Sequence, residues 1–306
     1  MTDNSQVHIA LCTDTHFWFD SPRAFGPEGE QLQPWSEEIY TALLAQLRTA
    51  NPDLILHLGD YTCGGGTFQM PEDAFFQALN RIHNGLRSLP AFYYGLPGNH
   101  DCPPGTADYS FCEGLLGLRP RQGRTIDLPG VRLVLLNATG YTPEQVAAAL
   151  PEDPVYGWVA QEELIRLDRA LATAGDRAVL LFVHQLLKPW SAPKPWQEFY
   201  GVRNADQVLD ILARHGNVRA VFQGHAHLFD VQQAPVGDGV TYFIVTPPII
   251  QYPMAWLSLQ LQADRLHLRM VPLPLPELAE RSRRAGSGQG WRAGLPQWQD
   301  MHIPLT

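Results

Sequence analysis

The stretch Asp53-Leu54-Ile55-Leu56-His57-Leu58-Gly59-Asp60 holds the pattern that decides the fold: a short apolar run, a glycine, then a carboxylate. Four more segments follow the same plan. Val7–Cys12 runs into Asp14-Thr15-His16, and Ala91–Leu96 into Gly98-Asn99-His100-Asp101. Arg177–Val183 runs into His184, and Val218–Phe222 into Gly224-His225-Ala226-His227. Most of these runs are short and rich in Val, Ile, Leu and Phe, which suits strands buried on both faces. Ala91–Leu96, with its tyrosines and Gly95, is the least regular. In open α/β sheets, ligand sites collect outside the carboxyl ends of the strands. The polar segments are therefore expected to meet on one rim.

Each segment supplies oxygen or imidazole nitrogen, and none uses a cysteine. That donor set suits Mn²⁺ or Fe²⁺, or zinc in a hydrolytic site. In an extended segment, residues i and i+2 point the same way. Asp14 and His16 are thus expected to reach one metal together, and so are His225 and His227. Gly59, Gly98 and Gly224 each precede a candidate ligand and permit close backbone approach. A lone His after an apolar run is usually structural, and Gly-Asp alone is a turn signal. The ordered set carries the information. Five of the 11 histidines fall inside it; His8, His57, His83, His215, His267 and His302 read as structural or surface residues.

The set and its order resemble the calcineurin-like metallophosphoesterase superfamily, over residues 7 to 270. The resemblance implies an α/β fold of two mixed β-sheets packed as a sandwich and flanked by helices. It implies two divalent cations per chain, Mn or Fe, with Zn as the other option. One is held by Asp14, His16, Asp60 and His227, the other by Asp60, Asn99, His184 and His225, with Asp60 bridging. Cations so bridged sit about 3.5–4 Å apart, and a water between them loses a proton near neutral pH to become the nucleophile. His100 matches a non-ligand catalytic histidine that serves the leaving oxygen. Asp101 either orients and charges that ring or closes a turn as an N-cap or turn aspartate.

Departures narrow the branch. Protein Ser/Thr phosphatases carry Gly-Asp-x-x-Asp-Arg-Gly, whereas Asp60 here runs into Tyr61-Thr62-Cys63-Gly64. Purple acid phosphatases begin Asp-x-Gly and place a tyrosine where Cys63 stands; here the first motif ends in His16. The set is more similar to the bacterial phosphodiesterase branch, whose members act on cyclic nucleotides, nucleotide diphosphate linkages or phosphodiester lipids. A phosphomonoesterase or nuclease is the alternative. A non-catalytic scaffold with the same fold is disfavoured, because every expected ligand and His100 are present.

Composition agrees. At 306 residues and 45% hydrophobic content the chain can bury a large core. A net charge of −9 repels long polyanions, so a small phosphoester is the expected partner and stable nucleic-acid binding is not. No apolar run approaches the roughly eighteen residues of a membrane span. Met1 to Gln6 show no signal-peptide core, which predicts a cytoplasmic protein with Cys12, Cys63, Cys102 and Cys112 reduced.

Helices are expected over Ser36–Thr49, with Ser36 as N-cap, and over Pro71–Leu86, Ala160–Ala174 and Asn204–His215. Further strands are expected at Val131–Asn137, Thr241–Val245, Ala255–Gln260 and Arg265–Val271. Two long loops, Phe17–Trp35 and Leu186–Gly201, are expected to carry specificity. Trp18, Lys188, Trp190 and Trp196 are the candidate substrate contacts, with Lys194 beside them. Aromatic rings there either stack on a base or pack the loops and a subunit contact. The metallophosphoesterase domain is read as residues 1–275. Residues 276–306 form a C-terminal extension, whose Trp291 and Trp298 predict docking on its own domain or on a neighbour in a homo-oligomer.

Overall fold

The computed structural model describes residues 6–141, 155–191, 196–285 and 288–306. Among these, twelve strands form two six-stranded sheets. The first runs β12-β11-β10-β1-β2-β3. Its members are β1 Val7–Cys12, β2 Leu54–His57, β3 Phe92–Gly95, β10 Ala255–Leu261, β11 Arg265–Pro272 and β12 Asp300–Pro304. β1, β2 and β3 are parallel, and β10, β11 and β12 extend the sheet antiparallel. The second runs β4-β5-β6-β7-β9-β8. Its members are β4 Arg124–Leu128, β5 Val131–Leu136, β6 Ala178–Val183, β7 Val218–Gln223, β8 Asp230–Val236 and β9 Gly239–Val245. β5, β6, β7 and β9 are parallel, with antiparallel β4 and β8 at the edges.

The two-residue period of each strand explains the layering. Ile9 and Leu11 face the seam between the sheets together with Leu133, Leu135, Leu180 and Phe182. Ala10 and Cys12 turn the other way, into a cluster with Ile39, Leu43, Leu47, Phe75 and Leu79 from helices α1 (Ser36–Ala50) and α2 (Glu72–Arg87). Val134, Leu136, Leu181 and Val183 likewise face Leu164, Leu167, Val208 and Leu212. Those four belong to the helices numbered here α4 (Gln161–Ala172) and α5 (Ala205–His215). A short α3 (Ser110–Leu116) precedes β4. The result is a sandwich with helices outside, as the family resemblance implied.

Ser36 is the first helical residue rather than the N-cap. Its hydroxyl donates to the Gln33 carbonyl at 2.7 Å and accepts the Trp18 N–H at 3.1 Å, so it anchors the preceding loop. Strands β4, β8 and β12 lie outside the sequence expectation, and all three are sheet edges. β8 (DVQQAPV) and β12 (DMHIP) carry polar residues and a proline, which edge strands tolerate and central strands do not. Beyond Leu275 the chain forms α6, Pro276–Arg284, and then β12. Lys194 lies outside the described residues.

Candidate metal centre

All five polar segments emerge at the carboxyl ends of parallel strands: β1, β2 and β3 in one sheet, β6 and β7 in the other. Ligand atoms of Asp14, His16, Asp60 and His227 lie within 4.8 Å of one another, and so do those of Asp60, His184 and His225. Asp60 belongs to both groups. Its Oδ2 stands 3.3 Å from His16 Nε2 and 3.2 Å from His184 Nε2. Asp14 Oδ1 stands 3.3 Å from His227 Nε2, and the His16 and His227 Nε2 atoms are 2.9 Å apart. Asn99 Oδ1 lies beside the second group, 3.3 Å from His184 Nε2.

The backbone at these positions is unusual. Asp14 (φ 52°), His16 (39°), Asp60 (56°), His225 (65°) and His227 (53°) all occupy the left-handed region. The expectation of an extended Asp14–His16 and His225–His227 is therefore corrected: sharp left-handed kinks aim these side chains, not strand alternation, and His225 and His227 fall in different groups rather than sharing one. Non-glycine residues pay about 1–3 kcal/mol for such strain, which is stored where function needs it. The glycines make room. A Cβ on Gly59 (φ 119°) would sit 2.3 Å from the Gly98 nitrogen, and one on Gly98 would sit 2.3 Å from Asp60 Oδ1.

Hydrogen bonds fix the remaining atoms. Asp14 Oδ2 accepts from Thr13 Oγ1 and from the His225 N–H. Asp60 Oδ1 accepts the His100 N–H at 2.8 Å. His227 Nδ1 meets Gln251 Oε1 at 2.7 Å, which aims Nε2 at the cluster. Asp60 Oδ2 is buried without a hydrogen bond among the described residues, a costly state for a carboxylate oxygen. A divalent cation would satisfy it, and this set of hard oxygens and imidazoles fits one. Electrostatics agree. Burial pushes His16 down to about 4 and His225 down to about 3, so both rings are neutral, the ligand form. Burial alone would raise Asp60, but His184, His100 and His16 hold it well below the usual range. His184 is the exception: burial opposes its charge, yet Asp60 raises that ring to about 9, so it must release a proton to bind a cation.

His100 lies beside this group and outside it. Its Nδ1 is 2.9 Å from the Gly64 carbonyl, so Nδ1 carries the proton and Nε2 is left for the pocket. Asp101 does not orient the ring. Its two oxygens accept four backbone N–H groups, those of Asp60, Tyr61, Thr62 and Gly98. Asp101 is thus a turn aspartate that ties the Gly59-Asp60 loop to the Gly98–Asp101 loop.

The pocket over the cluster, about 470 Å³, is walled by Phe68, Phe199, Tyr200, Glu30 and Arg292 as well as His100. Trp18, Lys188, Trp190 and Trp196 are not among its described lining residues. Trp18 is buried and stacks on Phe25. The Lys188 main chain is tied to Gln223. Trp190 packs edge-on against Trp196 and Tyr200. Trp196 instead lines an adjoining cleft of about 820 Å³ with Tyr156, Trp158, Arg203 and Phe199, and Phe199 is common to both spaces. Gln251, Glu30 and Arg292 carry no local motif; Phe199 and Tyr200 sit in a loop whose tryptophans are the more conspicuous signal. All four cysteines are buried, and none forms a disulfide among the described residues.

Comparison with known proteins agrees with this geometry. Residues 7–229 match the family model described as calcineurin-like phosphoesterase. A probable cyclic nucleotide phosphodiesterase of Synechococcus is 25% identical, covering 86% of this chain and 90% of that protein. The Escherichia coli K12 3',5'-cyclic adenosine monophosphate phosphodiesterase CpdA is 27% identical, covering 74% of this chain and 72% of that protein. The fold matches the crystal structure of a dimetal phosphatase from Danio rerio, with TM-score 0.70 and 16% identity, over 98% of this chain and 99% of that one.

Proposed function

The chain belongs to the calcineurin-like phosphoesterase family, and from that membership we propose that it is a metal-dependent phosphodiesterase acting on a small nucleotide-like ester, a 3',5'-cyclic nucleotide foremost. The observation that carries the reading is Asp60, shared by two buried ligand groups and holding one unsatisfied oxygen between them. Asp14, His16, Asp60 and His227 would hold one cation, and Asp60, Asn99, His184 and His225 the other. Bound there, Mn²⁺, Fe²⁺ or Zn²⁺ would supply an acidified water and positive charge opposite the phosphoryl oxygens.

The protein's own groups do the rest. Asp101 and the His100 N–H hold Asp60 from two sides. The Gly64 carbonyl orients His100 so that Nε2, when protonated, gives its proton to the leaving ester oxygen. Phe68, Phe199 and Tyr200 exclude water from one wall of the pocket. The exposed Phe199 ring, shared with the adjoining cleft, offers a face for a base. The net charge of −9 favours a small anion over a long one.

The test is a Mn²⁺-supported comparison of cyclic AMP, bis-p-nitrophenyl phosphate and p-nitrophenyl phosphate. The two diesters are expected to be hydrolysed faster than the monoester. Preferred hydrolysis of p-nitrophenyl phosphate, with cyclic AMP untouched, would establish the phosphomonoesterase alternative.

A further inference from the structure

The loop that carries His225 and His227 is gripped by a segment far along the chain. Arg292, 65 residues beyond His227, donates from Nη1 to the His227 carbonyl at 2.7 Å. The Arg292 carbonyl in turn accepts the Phe229 N–H at 2.7 Å. Trp291 packs in one cluster with Ala226 and Leu228, the residues on either side of His227. Gly294 (φ 64°) comes so close that a Cβ there would sit 2.6 Å from the Phe229 carbonyl oxygen. Residues 291–294 therefore bracket the loop by side chain and main chain alike.

The guanidinium is itself held in place. Its Nε donates to Gln289 Oε1 at 2.7 Å, and Nη2 stands 3.8 Å from the buried Glu30 carboxylate. Its Cζ lies over the Trp291 ring, 4.6 Å from the ring centroid. His227 needs such support, because its left-handed backbone persists only where the surroundings over-determine it. Gln251 fixes the ring from Nδ1, while Arg292 fixes the peptide.

We infer that Arg292 is a positioning residue for the metal centre: the C-terminal segment locks His227 in the conformation that presents Nε2 to Asp14 and His16. The inference rests on the proposed function only in taking the cluster as a cation site. It makes residues 288–294 a working part of the phosphoesterase site. A fork that bonds a carbonyl while facing a carboxylate explains arginine here, since lysine's single ammonium lacks that geometry.

The experiment is a Mn²⁺ titration of metal-stripped full-length protein, read by calorimetry and elemental analysis, alongside melting temperature. Arg292→Ala is expected to weaken one of two sites by about 10–100-fold, the usual effect of losing a group that orients a ligand, and to leave the other bound. Arg292→Lys should fall between Arg292→Ala and wild type, and it decides the matter if the alanine variant does not fold. Ile303→Ala, on β12 with its side chain in the buried core, should lower the melting temperature while both ions stay bound. Wild-type Mn²⁺ affinity at both sites in Arg292→Ala or Arg292→Lys would overturn the inference. A wild-type protein that takes up no Mn²⁺ would overturn the cation site itself and this inference with it.

Discussion

Two regions border the same pocket and are built in opposite ways. On the strand side, five candidate ligand residues sit on left-handed backbone, and their segments are tied together by the Asp14 and Asp101 carboxylates accepting main-chain N–H groups. On the loop side, residues 196–201 add ring packing to main-chain bonds at Tyr200 and Gly201: Tyr200 meets Trp190, Trp196 and Phe199. Strain fixed by backbone contacts places an atom precisely and tolerates no change. Ring packing supplies a surface that accepts variation. The chemistry is expected to reside in the first region and substrate preference in the second, and substitutions should separate them.

The largest effect is expected at Asp60. Asp60→Asn keeps the shape but halves the carboxylate's capacity for two cations. Both ions should be lost or greatly weakened, and turnover should fall by more than about 10⁴-fold, beyond the range of a single acid–base group. Elemental analysis and bis-p-nitrophenyl phosphate hydrolysis check this. Two tightly held ions in Asp60→Asn would remove the shared ligand from the account. His100→Ala comes next, with turnover of cyclic AMP expected to fall by about 10²–10⁴-fold at unchanged metal content. The loss should shrink for p-nitrophenyl esters, whose leaving group needs no proton. Loss of an ion from His100→Ala would make His100 a ligand and erase its proposed role.

On the loop side the effects should be smaller and substrate-dependent. Stacking on one ring is worth about 1–3 kcal/mol per base. Phe199→Ala is therefore expected to raise KM for cyclic AMP by about 5–100-fold and to leave bis-p-nitrophenyl phosphate little affected. Steady-state kinetics on both substrates give the ratio. Equal changes would move Phe199 from base recognition to loop packing.

The same contrast explains what could be read in the sequence. The candidate ligands are legible because each closes an apolar run whose strand must end at the rim, and because their order is specific. Their backbone was not legible: Asp14 and His16 read as extended, and the kinks arise from contacts such as Asp14 N–H to the Gly59 carbonyl, 45 residues away in sequence. The sequence leaves Asp101 either as a partner for the adjacent ring or as an N-cap or turn aspartate, and only the fold decides, because its carboxylate serves backbone groups forty residues earlier. Central strands announced themselves by apolar runs; β4, β8 and β12 did not, since edge strands alternate or carry polar residues. On the loop side the tryptophans were conspicuous, yet Phe68, Phe199 and Tyr200 line the pocket. Ring size marks burial area, not proximity to a site.

Trp190 provides the most sensitive test of that distinction, because it lies in the aromatic loop but away from the pocket lining. It packs with Leu186, Ala226, Leu228 and Val245 and meets Trp196 and Tyr200 edge-on. Removing it forfeits two aromatic pairs worth about 0.5–1.5 kcal/mol each beyond the area they bury, so Trp190→Ala should cost upwards of about 1–3 kcal/mol of stability. Tyr200 has other anchors: its carbonyl accepts the Leu186 N–H, and its own N–H donates to Gln197. The pocket wall is therefore expected to survive. Melting temperature should drop while KM for cyclic AMP stays near the wild-type value. A KM that rises for cyclic AMP, but not for bis-p-nitrophenyl phosphate, would show that ring packing on the loop side transmits to substrate, and the division between the two regions would have to be redrawn.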